Sequence, residues 1–135
     1  MTILRFICGT TELHKQLERE LADFVGLEDA VARSQGIADG VDAVRQKVRY
    51  LVKHGADVIK LMATGGVMTP GVQPGAAQLT YEEMSAGVDE ARKASRLTAS
   101  HAQGTEGIKN AVRAGIDSIE HGFYLDAEAI DMMLE

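Results

Sequence analysis

The sequence predicts an α/β protein with a short parallel sheet, and three observations carry that expectation. Short apolar runs rich in β-branched residues alternate with longer stretches of helical period, and glycine marks the joints between them. Two of those joints repeat one pattern, because "GADVIK" at 55–60 and "GIDSIE" at 115–120 share Gly-x-Asp-x-Ile. Aromatic residues are scarce, with three Tyr, three Phe and no Trp, which leaves the core to Val, Ile, Leu, Met and Ala, the set that packs helices on a sheet. Strand, helix, strand with short connections implies parallel strands joined by right-handed crossovers. Parallel strands need cover on both faces or closure into a barrel. Three or four such units cannot close an eight-stranded barrel, so the chain is either a small open sheet or part of something larger.

The elements follow in order. "MTILRFICG" has an arginine inside a very short apolar stretch and reads as a strand, not as a secretion signal. In "TELHKQLERELADFVG", Leu13, Leu17, Leu21 and Phe24 or Val25 fall on one helical face, and Gly26 stands where a left-handed cap ends a helix. Val41, Val44, Val48 and Leu51 repeat at helical spacing, with Asp39 placed to cap the start and Gly55 to close the end. "ADVIKLM" has the length and branching of a strand. The loop after it, "ATGGVMTPGVQPGAAQL", holds four glycines and both prolines and is too long for a simple connector. Thr80 and Glu83 form a capping box that opens a helix running to about Ser95. A strand over 97–100, a helix over 105–114 and a strand over 117–120 come next, and Asp126 caps a last helix.

The bulk composition bounds what such a fold does. With 135 residues and 45% apolar content the chain buries a core and fits one domain. A net charge of −6 with scattered Lys and Arg argues against a phosphate-binding face, so no nucleic-acid partner is expected. No run is long enough for a membrane span. Cys8 is the single cysteine; it fits a reducing compartment, hence a cytoplasmic expectation, and a buried small residue rather than a nucleophile.

In strand–helix architectures the side chains at the carboxyl ends of strands converge on the site. Lys60, His101 and His121 each stand at such an end. Two neutral imidazoles from adjacent strands suit zinc, and a lysine can join them as an anionic carbamate formed with CO2. The same residues also fit a plainer reading, hydrogen-bonded structural histidines and a salt-bridging lysine, and spacing alone leaves both open. Glu120 alternates with His121 and is expected on the other side of the strand, against a cation or a helix end. His14 and His54 fall on polar helix faces, where exposed histidines without function are expected. The loop glycines lack the Gly-Lys-Ser/Thr of a phosphate loop.

From "ADGVDAVRQKVRYLVKHGADVIKLMATGGVMTPG" through "SHAQGTEGIKNAVRAGIDSIEHGFYLDAEAID", residues 38–131, the chain resembles the metal-dependent amidohydrolase superfamily, in its imidazolonepropionase-like and Xaa-Pro dipeptidase-like branch. The resemblance implies a partial TIM-barrel fold and hydrolysis of amide or peptide-like C–N bonds with metal-activated water. It implies a carboxylated Lys60 bridging two zinc ions, His101 of "SHAQG" and His121 of "IEHG" as ligands of one of them, and a glycine-rich loop lying over the substrate. The family also uses a His-x-His pair on its first strand and an aspartate general base on its eighth. Neither has a counterpart among the histidines at 14, 54, 101 and 121 or in the short stretch that follows His121, so the resemblance covers about the middle third of such an enzyme.

Residues 4–35, "RFICGTTELHKQLERELADFVGLEDAV" at their centre, resemble instead a segment of the pyridoxal-phosphate-dependent α-oxoamine synthases. The cofactor lysine of those enzymes has no counterpart here, and no pyridoxal phosphate is expected. The expectation is thus a shuffled or engineered chimera, or a truncated, rearranged gene: 1–37 a strand and amphipathic helix of separate origin, 38–135 a partial amidohydrolase unit of about three parallel strands. Open sheet edges seek partners, which predicts a homo-oligomer that exchanges elements between chains. Three functional classes remain: a fragment keeping a weak metal site without efficient turnover, a zinc hydrolase completed by another subunit, and a non-catalytic self-associating module.

Overall fold

The computed structural model describes residues 4–6, 37–67 and 71–135. The helix expected over 11–25, Cys8 and His14 lie outside them. Among the described residues, four strands form one sheet: β1 (Leu4–Phe6), β2 (Val58–Met62), β3 (Leu97–Ala102) and β4 (Ser118–His121), in that order and all parallel. Helices α1 (Val41–Lys53), α2 (Tyr81–Lys93) and α3 (Thr105–Arg113) lead into β2, β3 and β4, and α4 (Ala127–Leu134) follows. This is the α/β wall expected, widened by one strand because the apolar start pairs with β2.

The core lies between the sheet and the helices. Ile59, Leu61 and Ala102 from the strands meet Val44, Val48 and Leu51 of α1, Met84, Val88 and Ala91 of α2, Ile108 and Ala111 of α3, and Ala129 of α4. The helical residues recur three and four apart, as a single buried stripe requires, and each large side chain contributes about 2 kcal/mol on burial.

The helix ends explain how the units are spaced. Thr80 accepts a hydrogen bond from the Glu83 N–H and Glu83 accepts one from the Thr80 N–H, so the capping box forms as expected. Asp126 caps α4 by accepting from the Ala129 N–H at 2.8 Å. Asp39 does not cap α1. The N-cap is Gly40, whose N–H is bound at 2.7 Å by Glu83, so one carboxylate serves two helix starts across the α1–α2 contact. At the other ends, the N–H of Ala56 reaches Leu51 O, Arg96 reaches Ala91 O and Ile116 reaches Ala111 O, each closing a left-handed turn. Gly55 and Gly115 supply that turn twice; Ser95, at φ 56°, supplies it with a side chain that makes the conformation costlier.

Between α1 and α2, the Glu90 carboxylate accepts from Arg49 at 2.6 Å and 3.1 Å and from Lys93 at 3.2 Å. Chiefly through the Arg49 bonds, and against its own burial, the Glu90 carboxyl is held down at about 2. A carboxyl with a depressed folded-state value stabilises the protein fully above its unfolded value and loses that contribution as pH falls through the folded one. Stability is therefore expected to decline from about pH 4.5 toward 2, and Arg49→Met should flatten that part of the decline. Urea titrations of both proteins across that range check it; parallel curves would refute it.

Candidate metal centre

Strand alternation sorts the side chains onto two faces. Ile59 and Leu61 of β2, Thr98, Ser100 and Ala102 of β3, and Ile119 of β4 face the helices, leaving Lys60, Ala99, His101, Ser118 and Glu120 on the opposite face. The register sets their rows, with Lys60 beside Ala99 and Ser118, and Met62 beside His101 and Glu120. Lys60 is thus in the middle of β2, one row before His101, and not at the strand's end as expected. Strand β3 runs two residues further than expected, which takes His101 inside it. Both Lys60 and His101 are 8% exposed.

His121 pairs with Ala102 and would by alternation point toward the helices. It does not. Its backbone turns to φ 80°, a left-handed value that a residue with a side chain rarely adopts, and its ring meets that of His101 edge-on with centroids 4.6 Å apart. Glu120 lies in the His101 row by register, where its carboxylate accepts from the Ser118 hydroxyl at 3.2 Å, correcting the expectation of a cation or helix-end partner. His54 matches expectation: it is exposed at the end of α1, with its ring on Tyr50.

The loop after β2 folds back over the end of β3. Thr64 bridges antiparallel to Ala77, the Gly65 N–H donates to Ala76 O at 3.0 Å, and the Gln78 N–H donates to Ala63 O at 2.8 Å. The Gly65 carbonyl then lies 3.2 Å from His101 Nε2. A Cβ at Gly65 would overlap Val72 and Gln73, so only glycine admits this crossing. The Thr64 hydroxyl accepts the Gln103 N–H at 2.9 Å, and the buried Gln103 amide comes to 3.4 Å from His101 Nε2. Sequence reading passed over Gln103, although it lies two residues beyond His101 in "SHAQG", the spacing that returns a side chain to the same side.

Burial pushes the His101 imidazole below its ordinary value; the Gly65 bond works against this, and the nearby charges of His121 and Lys60 add to it. A neutral ring is the form that ligates metal. The paired imidazoles with Lys60 on the same face thus fit one side of a metal centre. Among the described residues, no group of three His, Cys, Asp or Glu side chains could enclose an ion, so the fit is partial. When bound, the metal would polarise a carbonyl and acidify water.

No helix among the described residues is long and apolar enough to cross a membrane. Comparison with known proteins gives two kinds of match. Ochratoxinase from Aspergillus niger is 44% identical over 99 residues, 73% of this chain and 21% of that protein. The crystal structure of a Xaa-Pro dipeptidase with bound methionine in the active site superposes with a TM-score of 0.72 at 42% identity, over 82% of this chain and 27% of that one. The second kind is short: 2-amino-3-ketobutyrate coenzyme A ligase from Escherichia coli is 56% identical over 34 residues, 25% of this chain and 8% of that protein. The chain spans about a fifth of the length of the ochratoxinase it matches. The amidohydrolase family itself matches over residues 7–135, nearly the whole chain, and the protein belongs to that family.

Proposed function

We propose that this chain supplies one wall of a metal-dependent C–N hydrolase site, in which His101 and His121 hold one zinc ion and a carboxylated Lys60 reaches toward it. The observation that carries this reading is the left-handed backbone at His121, which brings the second ring against the first on the sheet face that bears Lys60. The amidohydrolase family and the name of one relative, a Xaa-Pro dipeptidase, support amide or peptide-like bonds as the substrate class. His101 and His121 place the ion, and the loop carrying Gly65 shields that end of β3 from water. Two imidazoles and a lysine do not make a complete catalytic set, so efficient turnover is not expected of the described residues alone. The test is zinc per chain after growth with added zinc and dialysis against metal-free buffer. A value near one, lost in His101→Ala, is expected; no retained zinc would sink the reading.

A second reading concerns assembly. Among the described residues, strand β4 pairs on one side only, and Phe123, Tyr124, Leu125, Ile130, Met133 and Leu134 beyond it are exposed. Such an edge with apolar flanks favours a second copy of this chain as partner, and a copy could complete the site. Sedimentation should find a dimer or larger at tens of micromolar, which Phe123→Asp with Leu134→Asp weakens; a concentration-independent monomer would exclude it. The 34-residue ligase match supports a separate origin for residues 1–37, while the family match from residue 7 overlaps that segment and β1 joins both parts in one sheet.

A further inference from the structure

His101 Nε2 has two neighbours that cannot both be served as they stand. The Gly65 carbonyl at 3.2 Å is an acceptor and requires a hydrogen on Nε2. The Gln103 Nε2 amide at 3.4 Å is a donor and requires a lone pair there. One nitrogen does not offer both. The two ends of a carboxamide have the same size, and a half-turn about its last bond exchanges them. With Gln103 Oε1 turned toward the ring, both neighbours become acceptors around one Nε2–H, and the conflict disappears. The alternative, a bare Nε2 taking the amide hydrogen, leaves the Gly65 carbonyl facing a lone pair in a buried site, which costs more than a hydrogen bond returns.

We infer that Gln103 is a positioning residue which, with the Gly65 carbonyl, fixes His101 as the Nε2–H tautomer and so leaves Nδ1 as its ligand atom. The side chain is well held for this. Gln103 is buried, its N–H is bound by the Thr64 hydroxyl, and its carbonyl accepts from the Tyr124 N–H at 3.0 Å, so the residue is anchored through backbone bonds that a side-chain replacement leaves in place. The Gly65 carbonyl is held by the Gly65–Ala76 bond and by a crossing too close for a Cβ. Two loops thus converge on one ring nitrogen. Outer partners of this kind orient a ligating histidine and strengthen its binding.

The consequence for zinc rests on the proposed function, but the tautomer does not, and the experiment separates them. Long-range proton–nitrogen spectra of the metal-free protein, labelled with 15N-histidine, read each ring's tautomer, and the His101 signals are those missing in His101→Gln. Wild type should show a hydrogen on Nε2 and a bare Nδ1. Gln103→Leu should give a mixture of tautomers and zinc binding weaker by about tenfold, whereas Gln103→Glu, which keeps an acceptor oxygen, should restore both. Should the leucine variant fail to fold, Gln103→Met takes its place. A hydrogen on Nδ1 in wild type, or a tautomer unchanged in the leucine and methionine variants, would overturn the inference. If wild type binds no zinc, the metal reading fails and the spectra still decide the role of Gln103.

Discussion

Gly104→Ala is expected to destabilise the protein by about 3 kcal/mol, while Gly75→Ala, at the other side of the same contact, should leave stability within about 0.5 kcal/mol. A Cβ on Gly104 would stand 2.0 Å from the Gly75 carbonyl oxygen, 2.7 Å from its carbon and 2.9 Å from its Cα. All three are backbone atoms, so no side chain can swing aside. The Gly104 backbone is itself ordinary, at φ −78° and ψ 145°, and alanine would adopt it freely. The whole cost is therefore one of space. Either the first turn of α3 moves off the sheet or the loop over 71–79 lifts away. Lifting the loop pulls on the Gly65–Ala76 bond and with it on the carbonyl that faces His101. A Cβ on Gly75 meets nothing within 4 Å, which makes it the matching control. Urea unfolding with an unchanged slope measures both. Equal midpoints for the two variants would mean that the loop does not rest on α3 as described.

How much of this could be read from the chain depends on how local each feature is. The capping box at Thr80 and Glu83, the Asp126 cap and the buried stripe of α1 are set within one or two helical turns, and the spacing of residues reveals them. The service that Glu83 gives to Gly40, 43 residues away, is a tertiary accident of how α1 meets α2, and it displaced the cap expected at Asp39. The site divides in the same way. That Lys60, His101 and His121 share a sheet follows from the repeated strand pattern. Which face each occupies does not, because plain alternation sends His121 away from His101 and only a backbone turn returns it. The Gly65 and Gln103 contacts around His101 depend on a loop whose composition announces irregularity and nothing of its course.

That turn at His121 makes the second large prediction. A residue with a side chain held at φ 80° costs roughly 1–2 kcal/mol relative to glycine, and it stands at the last residue pair of β4, just before the Gly122 N–H donates to Ala102 O at 3.0 Å. On the proposed function, the strain is met to keep the imidazole beside its partner. His121→Ala removes the ring and keeps the strain; His121→Gly removes both. The metal-free glycine variant should therefore be more stable than the alanine variant by about 1 kcal/mol, and at least as stable as wild type. Zinc binding should fall in both by more than about 100-fold, since each has lost one of two imidazoles. Stability and affinity would then move in opposite directions on a single substitution, the mark of a backbone distorted for a site and not for a fold. Denaturant midpoints without metal, set beside zinc titrations of the same three proteins, provide the comparison. A glycine variant no more stable than the alanine variant would show that the left-handed turn costs nothing, and the argument that His121 is held in place for its ring would lose its physical basis.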